Sequence, residues 1–268
     1  MTQKILFIIS GLLIIGAIIA IIVTNKPKVS DKLLTVETEY NYVYTDSKVI
    51  TIILYSNKKK HKIHHKENIN FSFLVSNDDT TRFELDLLDI KYSHEEKYIG
   101  DDYYSYNYHF KMPRLEANLL IDDAYLEIQL VDGTTYLMAI GKFKFLYYPH
   151  VGVEKLIKVD GLHGYKLQGS EFPRLNKIIL EANSLDNTII ESISIDGETN
   201  LNFEINQNEI QIIIPFKRIA LFQAPLILTI TKNGQTSVQV VDNFLFFNDY
   251  QTLEIASDIC HLYEANWT

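Results

Sequence analysis

Nine residues, Lys58 to Lys66, carry the densest chemistry in the chain. Lys58, Lys59, Lys60, Lys62 and Lys66 surround His61, His64 and His65. Neutral imidazole is a good metal ligand, and it also gains charge near pH 6. Five ammonium groups repel a cation, however, and Glu67, just past the stretch, is the only carboxylate to join it, so no metal is expected there. An anion is the better match. Lipid headgroups or an anionic envelope polymer would meet a cluster of basic residues of the kind that binds acidic surfaces. If all three histidines stand in water, that grip should tighten on acidification. The plainer expectation is a solvated hairpin loop between two strands, whose lysines discourage edge-to-edge pairing.

A second cluster lies in "SHEEKYIGDDYYSYNYHFKM", Ser93 to Met112. Tyr103, Tyr104, Tyr106 and Tyr108 offer large, stiff, amphipathic area, which suits recognition of a protein partner. The alternation of Tyr104, Tyr106, Tyr108 and Phe110 also fits one packed face of a strand. Glu95, Glu96, Asp101 and Asp102 are rich in oxygen but lack the spacing of an EF-hand loop.

Catalytic signatures are missing. The chain has no His-Glu-x-x-His, Gly-x-Ser-x-Gly, phosphate-loop or dinucleotide-loop pattern. Its single cysteine, Cys260, rules out an internal disulfide and a multi-cysteine zinc site. No catalytic residue, metal or cofactor is expected, and the protein is read as a non-enzyme. A net charge of −9 argues against nucleic acid, which needs a basic footprint. The same charge would suit a basic protein partner.

The elements that must position these residues begin with an anchor. Residues 1–3 form a short tail, and residues 4–24 contain Ile5 to Val23, 19 residues without a charge. At 1.5 Å per residue that run matches the hydrocarbon thickness of a bilayer. It is longer than a signal-peptide core and is followed by no small-x-small cleavage site, so it is read as an uncleaved single-pass anchor. Lys26, Lys28 and Lys32 follow the span, and by the positive-inside rule alone they would hold the body in the cytoplasm. A signal-anchor followed by tyrosine-rich β-structure is a common plan among bacterial surface proteins. On that ground the body is expected outside the cytoplasm.

After a stalk at residues 25–32 the chain reads as strands. "TVETEYNYVYT", "KVITIILYS", "NINFSFLVS" and "RFELDLLDIKY" alternate with a period of two. "AYLEIQLVDGTTYLMAIG" is two strands about Asp132-Gly133, and Asn233-Gly234 is a strong hairpin signal in the second half. Asp196-Gly197 is a further turn signal. Shifting the sequence by about 101 residues lays Gly133 on Gly234, Phe143 on Phe244 and Phe145 on Phe246, with Pro113 one residue from Pro215. The fold class expected is all-β: the transmembrane helix, two tandem immunoglobulin-like β-sandwiches at 33–148 and 149–250, and a short C-terminal helix. In the tail, 251–268, Leu253, Ala256, Ile259, Cys260, Tyr263 and Trp267 recur at helical spacing, and the helix is expected to cover the second sandwich.

The function expected is that of a membrane-anchored binding or scaffold protein of the bacterial cell envelope. Alternatives are an anchored inhibitor or immunity-type protein that binds a basic partner, and an envelope-acting hydrolase.

Overall fold

The computed structural model describes residues 30–44, 48–148, 155–167, 175–183, 185–195, 200–215, 220–222, 225–241 and 252–267. The expected span at 5–23, the Asp196-Gly197 turn, Phe244 and Phe246 lie outside these residues. Among the described residues no helix is long and apolar enough to cross a membrane.

The body is all-β. The first strands are β1 (Leu33–Val36), β2 (Thr38–Val43), β3 (Val49–Ser56), β4 (Ile69–Ser76), β5 (Arg82–Glu84), β6 (Asp86–Tyr98), β7 (Asp101–Lys111), β8 (Leu119–Leu130) and β9 (Thr135–Leu146). Then come β10 (Lys158–Lys166), β11 (Leu175–Asn183), β12 (Thr188–Ser194), β13 (Phe203–Asn206), β14 (Glu209–Ile213), β15 (Ala220–Phe222), β16 (Leu226–Lys232) and β17 (Gln235–Val241). The chain closes with helix α1 (Leu253–Ile259), β18 (Leu262–Glu264) and β19 (Asn266–Trp267).

The second set of strands makes two sheets, β10-β11-β14-β13 and β12-β16-β17. With the seven strands named A to G in chain order, skipping β15, these sheets are ABED and CFG. That is the order of a constant-type immunoglobulin sandwich. The first set repeats the order: β1-β3-β7-β6 forms one sheet, and β9-β8-β4 forms the heart of the other. To this second sheet the first set adds β2 and β5 as flanking strands. The hairpins aligned by the 101-residue shift are β8–β9 and β16–β17, equivalent strands in the two sets. Pro113 and Pro215 each stand just past the end of equivalent strands, β7 and β14, where a missing N–H is tolerated. The two turns differ. Asn233 and Gly234 both have positive φ, as a type I′ turn requires, whereas at the other hairpin only Gly133 does.

Each set has its own core. The first gathers Tyr40, Tyr42, Tyr108, Phe110, Phe143 and Phe145, with Tyr40 stacked on Phe143 at 4.4 Å. The second is almost purely aliphatic, built on Ile178, Leu180, Ile193, Ile210, Ile212, Leu228 and Ile230. Aromatic pairs at such distances add to the stabilisation that burial alone gives.

The segment expected as one strand, "TVETEYNYVYT", is two. The chain changes sheet at Glu37: β1 pairs antiparallel with β3, and β2 pairs parallel with β9. The change is possible because Gly141 faces Thr38. Gly141 has φ +106°, and a Cβ there would stand 2.4 Å from the Thr38 carbonyl oxygen. No side chain larger than hydrogen fits that approach. Similarly "RFELDLLDIKY" is split between β5 and β6, which lie in different sheets.

The tail departs furthest from expectation. The helix stops at Ile259, and Tyr263 and Trp267, which continued its spacing, lie in strands. Nor does it cover the second sandwich. Leu253, Ala256 and Cys260 pack on Leu34, Val36, Tyr55 and Tyr103 of the first. β18 then pairs with β1, and β19 with β9. The last described residues therefore complete the first set of strands.

Two outcomes follow. Gly141→Ala is expected to lower unfolding stability by about 2 kcal/mol or more, read from denaturant midpoints, because β2 must leave β9 or Thr38 must strain. Removal of residues 252–268 is expected to expose Leu34, Val36, Tyr55 and Tyr103. Differential scanning calorimetry should then show a lower first transition while the second sandwich melts as before.

Candidate functional site

The basic stretch is not a hairpin loop. β3 and β4 belong to different sheets, so residues 57–68 cross from one to the other over the end of the first core. The crossing is folded rather than open. Ser56 Oγ accepts from the Lys58 amide at 3.3 Å and lies 2.6 Å from the Lys58 carbonyl, and Lys62–His64 and Lys66–Asn68 form short 3-10 turns. The His61 ring nitrogen Nδ1 accepts from the Ile63 amide and caps the first of these. Ile63 is fully buried and plugs the core.

The histidines divide by environment. His61 and His64 are buried, and His65 is exposed. His64 lies flat on the Tyr106 ring, 3.7 Å between centroids. With the Tyr108 proton on the Ile63 carbonyl, the neutral ring donates from Nδ1 to the Tyr108 hydroxyl at 2.8 Å and accepts at Nε2 from Ser56 Oγ at 2.9 Å. Burial, and then the neighbouring His61 and His65, push its pKa down to about 3. The expectation that all three histidines charge near pH 6 therefore fails at His64, since a buried imidazole resists a proton.

Both sequence clusters meet here. β7 supplies the floor on which the basic crossing rests. Tyr106 donates its hydroxyl to the Lys59 carbonyl at 2.5 Å, and Tyr108 donates to the Ile63 carbonyl at 2.8 Å. Burial pushes the Tyr108 phenol well above its ordinary pKa, so it stays a donor. Tyr106 and Tyr108 are pegs for the loop backbone, not an open recognition surface. Tyr103 points to the other face and packs under α1. Tyr104 is half-buried, and the Lys59 ammonium stands 5.7 Å from its ring centroid and 4.9 Å from that of Tyr92.

The lysines also divide. Lys62 Nζ donates to Asp132 at 2.8 Å and to Thr134 Oγ1 at 2.7 Å, tying the crossing to the β8–β9 turn. This contact holds the Asp132 carboxyl down to about 2. Lys66 Nζ donates to the Leu88 carbonyl at 2.7 Å. Lys58, Lys59 and Lys60 are exposed on the outer side of the crossing. The acidic cluster is dispersed: Glu96 accepts from the Leu253 amide at the start of α1, and Asp101 pairs with Lys32 at 3.0 Å. Among the described residues no three His, Cys, Asp or Glu side chains are placed to share a metal ion.

One residue of this end escaped the sequence reading. Tyr98 and Asp101 pair directly, so Ile99-Gly100 is the two-residue turn between β6 and β7. Ile99 has φ +48° and is 83% exposed. The signal was legible, since an x-Gly pair between alternating runs marks a tight turn.

No family model matches the chain. No curated protein matches it either. Two solved structures of titin are similar. One, its tandem Ig domains, is 8% identical and covers 80% of this chain and 97% of that one, at a TM-score of 0.22. The other, an anomalous substructure of titin, is 10% identical and covers 78% and 97%, also at 0.22. At that TM-score neither likeness bears on topology or function.

The buried histidine gives a pH signature. The unfolded chain protonates His64 near pH 6.5, the folded chain only near 3. Its contribution to stability is complete above about pH 6.5 and is lost as pH falls from there towards 3, by up to about 1.4 kcal/mol per pH unit. His64→Phe keeps a ring on Tyr106, and the Ser56 and Tyr108 hydroxyls retain carbonyl acceptors. Urea titrations at pH 7 and pH 4 should show a smaller acid loss in the variant than in the parent.

Proposed function

We propose that this is a single-pass membrane-anchored protein of the bacterial cell envelope whose two immunoglobulin-like sandwiches act by binding or scaffolding. The observation that carries the reading is the pairing of an uncharged 19-residue run with a body of two sandwiches that share one strand order. Such sandwiches hold loops at their two ends on a rigid frame, an arrangement suited to recognition. The division expected from sequence, 33–148 and 149–250, is kept in this proposal, with the tail assigned to the first sandwich. The body is placed outside the cytoplasm, and its action is taken to be non-catalytic.

A link between the sandwiches supports a scaffold with limited hinge freedom. β15 leaves the second set and pairs parallel with β2, Ala220 against Thr38 and Phe222 against Tyr40. Val43, Leu146 and Ile227 form a small apolar cluster that also joins the two sets. A link of this kind would keep two binding ends at a fixed separation.

The test is fractionation of cells expressing the full chain. The protein should stay with membranes through alkaline carbonate and leave only with detergent, whereas a chain lacking residues 1–24 should be soluble and β-rich by circular dichroism. Protease added to intact cells should digest the body. Release by carbonate would defeat the anchor, and protection until lysis would place the body in the cytoplasm.

A further inference from the structure

β2 and β9 run parallel, and their ladder has two unlike faces. On one, Tyr40 and Tyr42 lie against Phe143 and Phe145 in the aromatic core. The other sets Glu39 against Lys142, Asn41 against Lys144 and Val43 against Leu146. The outer face of a sandwich sheet ordinarily meets water. Here it is covered. Asn41 is fully buried, and Lys144 and Glu39 are only 4% and 5% exposed. The next row, Val43 and Leu146, belongs to the apolar cluster shared with Ile227 of the second sandwich.

Asn41 is poorly served in this place. Its Nδ2 donates to Glu39 Oε1 at 3.1 Å, but its buried Oδ1 has no hydrogen-bond partner. A buried acceptor left without a donor is costly, and folded chains rarely keep one without a use. Lysine is likewise among the side chains least often buried.

The register supplies a use. Lys142 is engaged with Asp122, whereas Lys144 stands directly across the ladder from Asn41. Neighbouring strands are about 4.8 Å apart. The four-carbon stem of a lysine is longer than that, so rotation about its own bonds brings Nζ to the Asn41 side chain. Glu39 and Lys144 also have contacts beyond this trio, and any that the Lys144 ammonium makes is given up when Nζ turns to Asn41.

We propose that Lys144 and Asn41 condense into an amide that cross-links β9 to β2, with Glu39 as the proton carrier. Glu39 takes a proton from the Lys144 ammonium, and the freed amine attacks Asn41 Cγ. The Nζ–Cγ bond forms and the Cγ–Nδ2 bond breaks. A second proton passes from Nζ to Nδ2, and ammonia leaves. The first proton departs with it as ammonium, which returns Glu39 to its carboxylate. Atoms and charge balance without an oxidant or a co-reactant. Glu39 already accepts from Nδ2, so the carrier stands on the leaving group. Folding replaces an encounter in solution with a fixed neighbour, and burial keeps water from competing for Cγ. The product closes residues 41 to 144 into a covalent loop, and β2 could then not be peeled from β9.

The experiment weighs the purified full chain after denaturation. The expected mass is one ammonia below that of the sequence, and protease digestion should yield a branched peptide that joins residues 41 and 144. Lys144→Arg keeps the charge and should retain the full mass. Glu39→Gln should form the link about a hundred-fold more slowly or not at all. Circular dichroism checks that the parent and both variants are folded. Full mass in the folded parent overturns the proposal, whatever the variants do. Loss of ammonia without the branched peptide, or in Lys144→Arg, places the loss at another residue and overturns it as well. A folded Glu39→Gln chain that links as fast as the parent overturns the role given to Glu39.

Discussion

The approach of Thr38 to Gly141 is the contact on which the first sandwich depends. It allows one short stretch of chain to serve both sheets, β1 in one and β2 in the other. Without it the sheet containing β9 would end in an open edge, and open edges invite pairing with other chains. The same contact seats Tyr40 and Tyr42 over Phe143 and Phe145, so the aromatic core is assembled from strands far apart in sequence. β2 also receives β15, and through that pairing the second set of strands is joined to the first. One hydrogen atom in place of a side chain thus bears on edge protection, core packing and the link between the sandwiches.

The basic crossing gains its shape from the layer beneath it. Tyrosine hydroxyls on β7 hold two of its carbonyls, a neutral histidine fills the gap above their rings, and Ile63 seals the core. Loops that carry function are usually placed on the surface of a rigid scaffold. Here the scaffold reaches into the loop, so the outer lysines stand on a fixed backbone.

Much of the fold was legible because alternation marks strands wherever one face is buried. β3, β4, β8 and β9 all stand where the alternating segments lie. β10 escaped because Gly161 and Gly164 break its pattern. The split at Glu37 escaped because alternation continues across a change of sheet. The tail misled because Tyr263 and Trp267 fall at helical spacing by coincidence, whereas a strand's worth of pairing with β1 and β9 decides their conformation. At the candidate site, composition named the right residues and missed their burial. Polar side chains such as His64 enter a core when each nitrogen finds a partner, and no local pattern announces those partners. Tyr103 was grouped with its neighbours although alternation itself sets it on the opposite face.

Because β18 and β19 close the first set of strands, the order of synthesis and the order of completion differ. A nascent chain emerging from the ribosome would present Leu34, Val36 and the edge of β1 uncovered until residues near 267 had been made. The second sandwich, encoded between, can finish earlier. The protein is thus threaded like a clasp, with its opening segment waiting on its closing one, and a truncated translation product would carry a sticky edge that quality-control proteases can recognise.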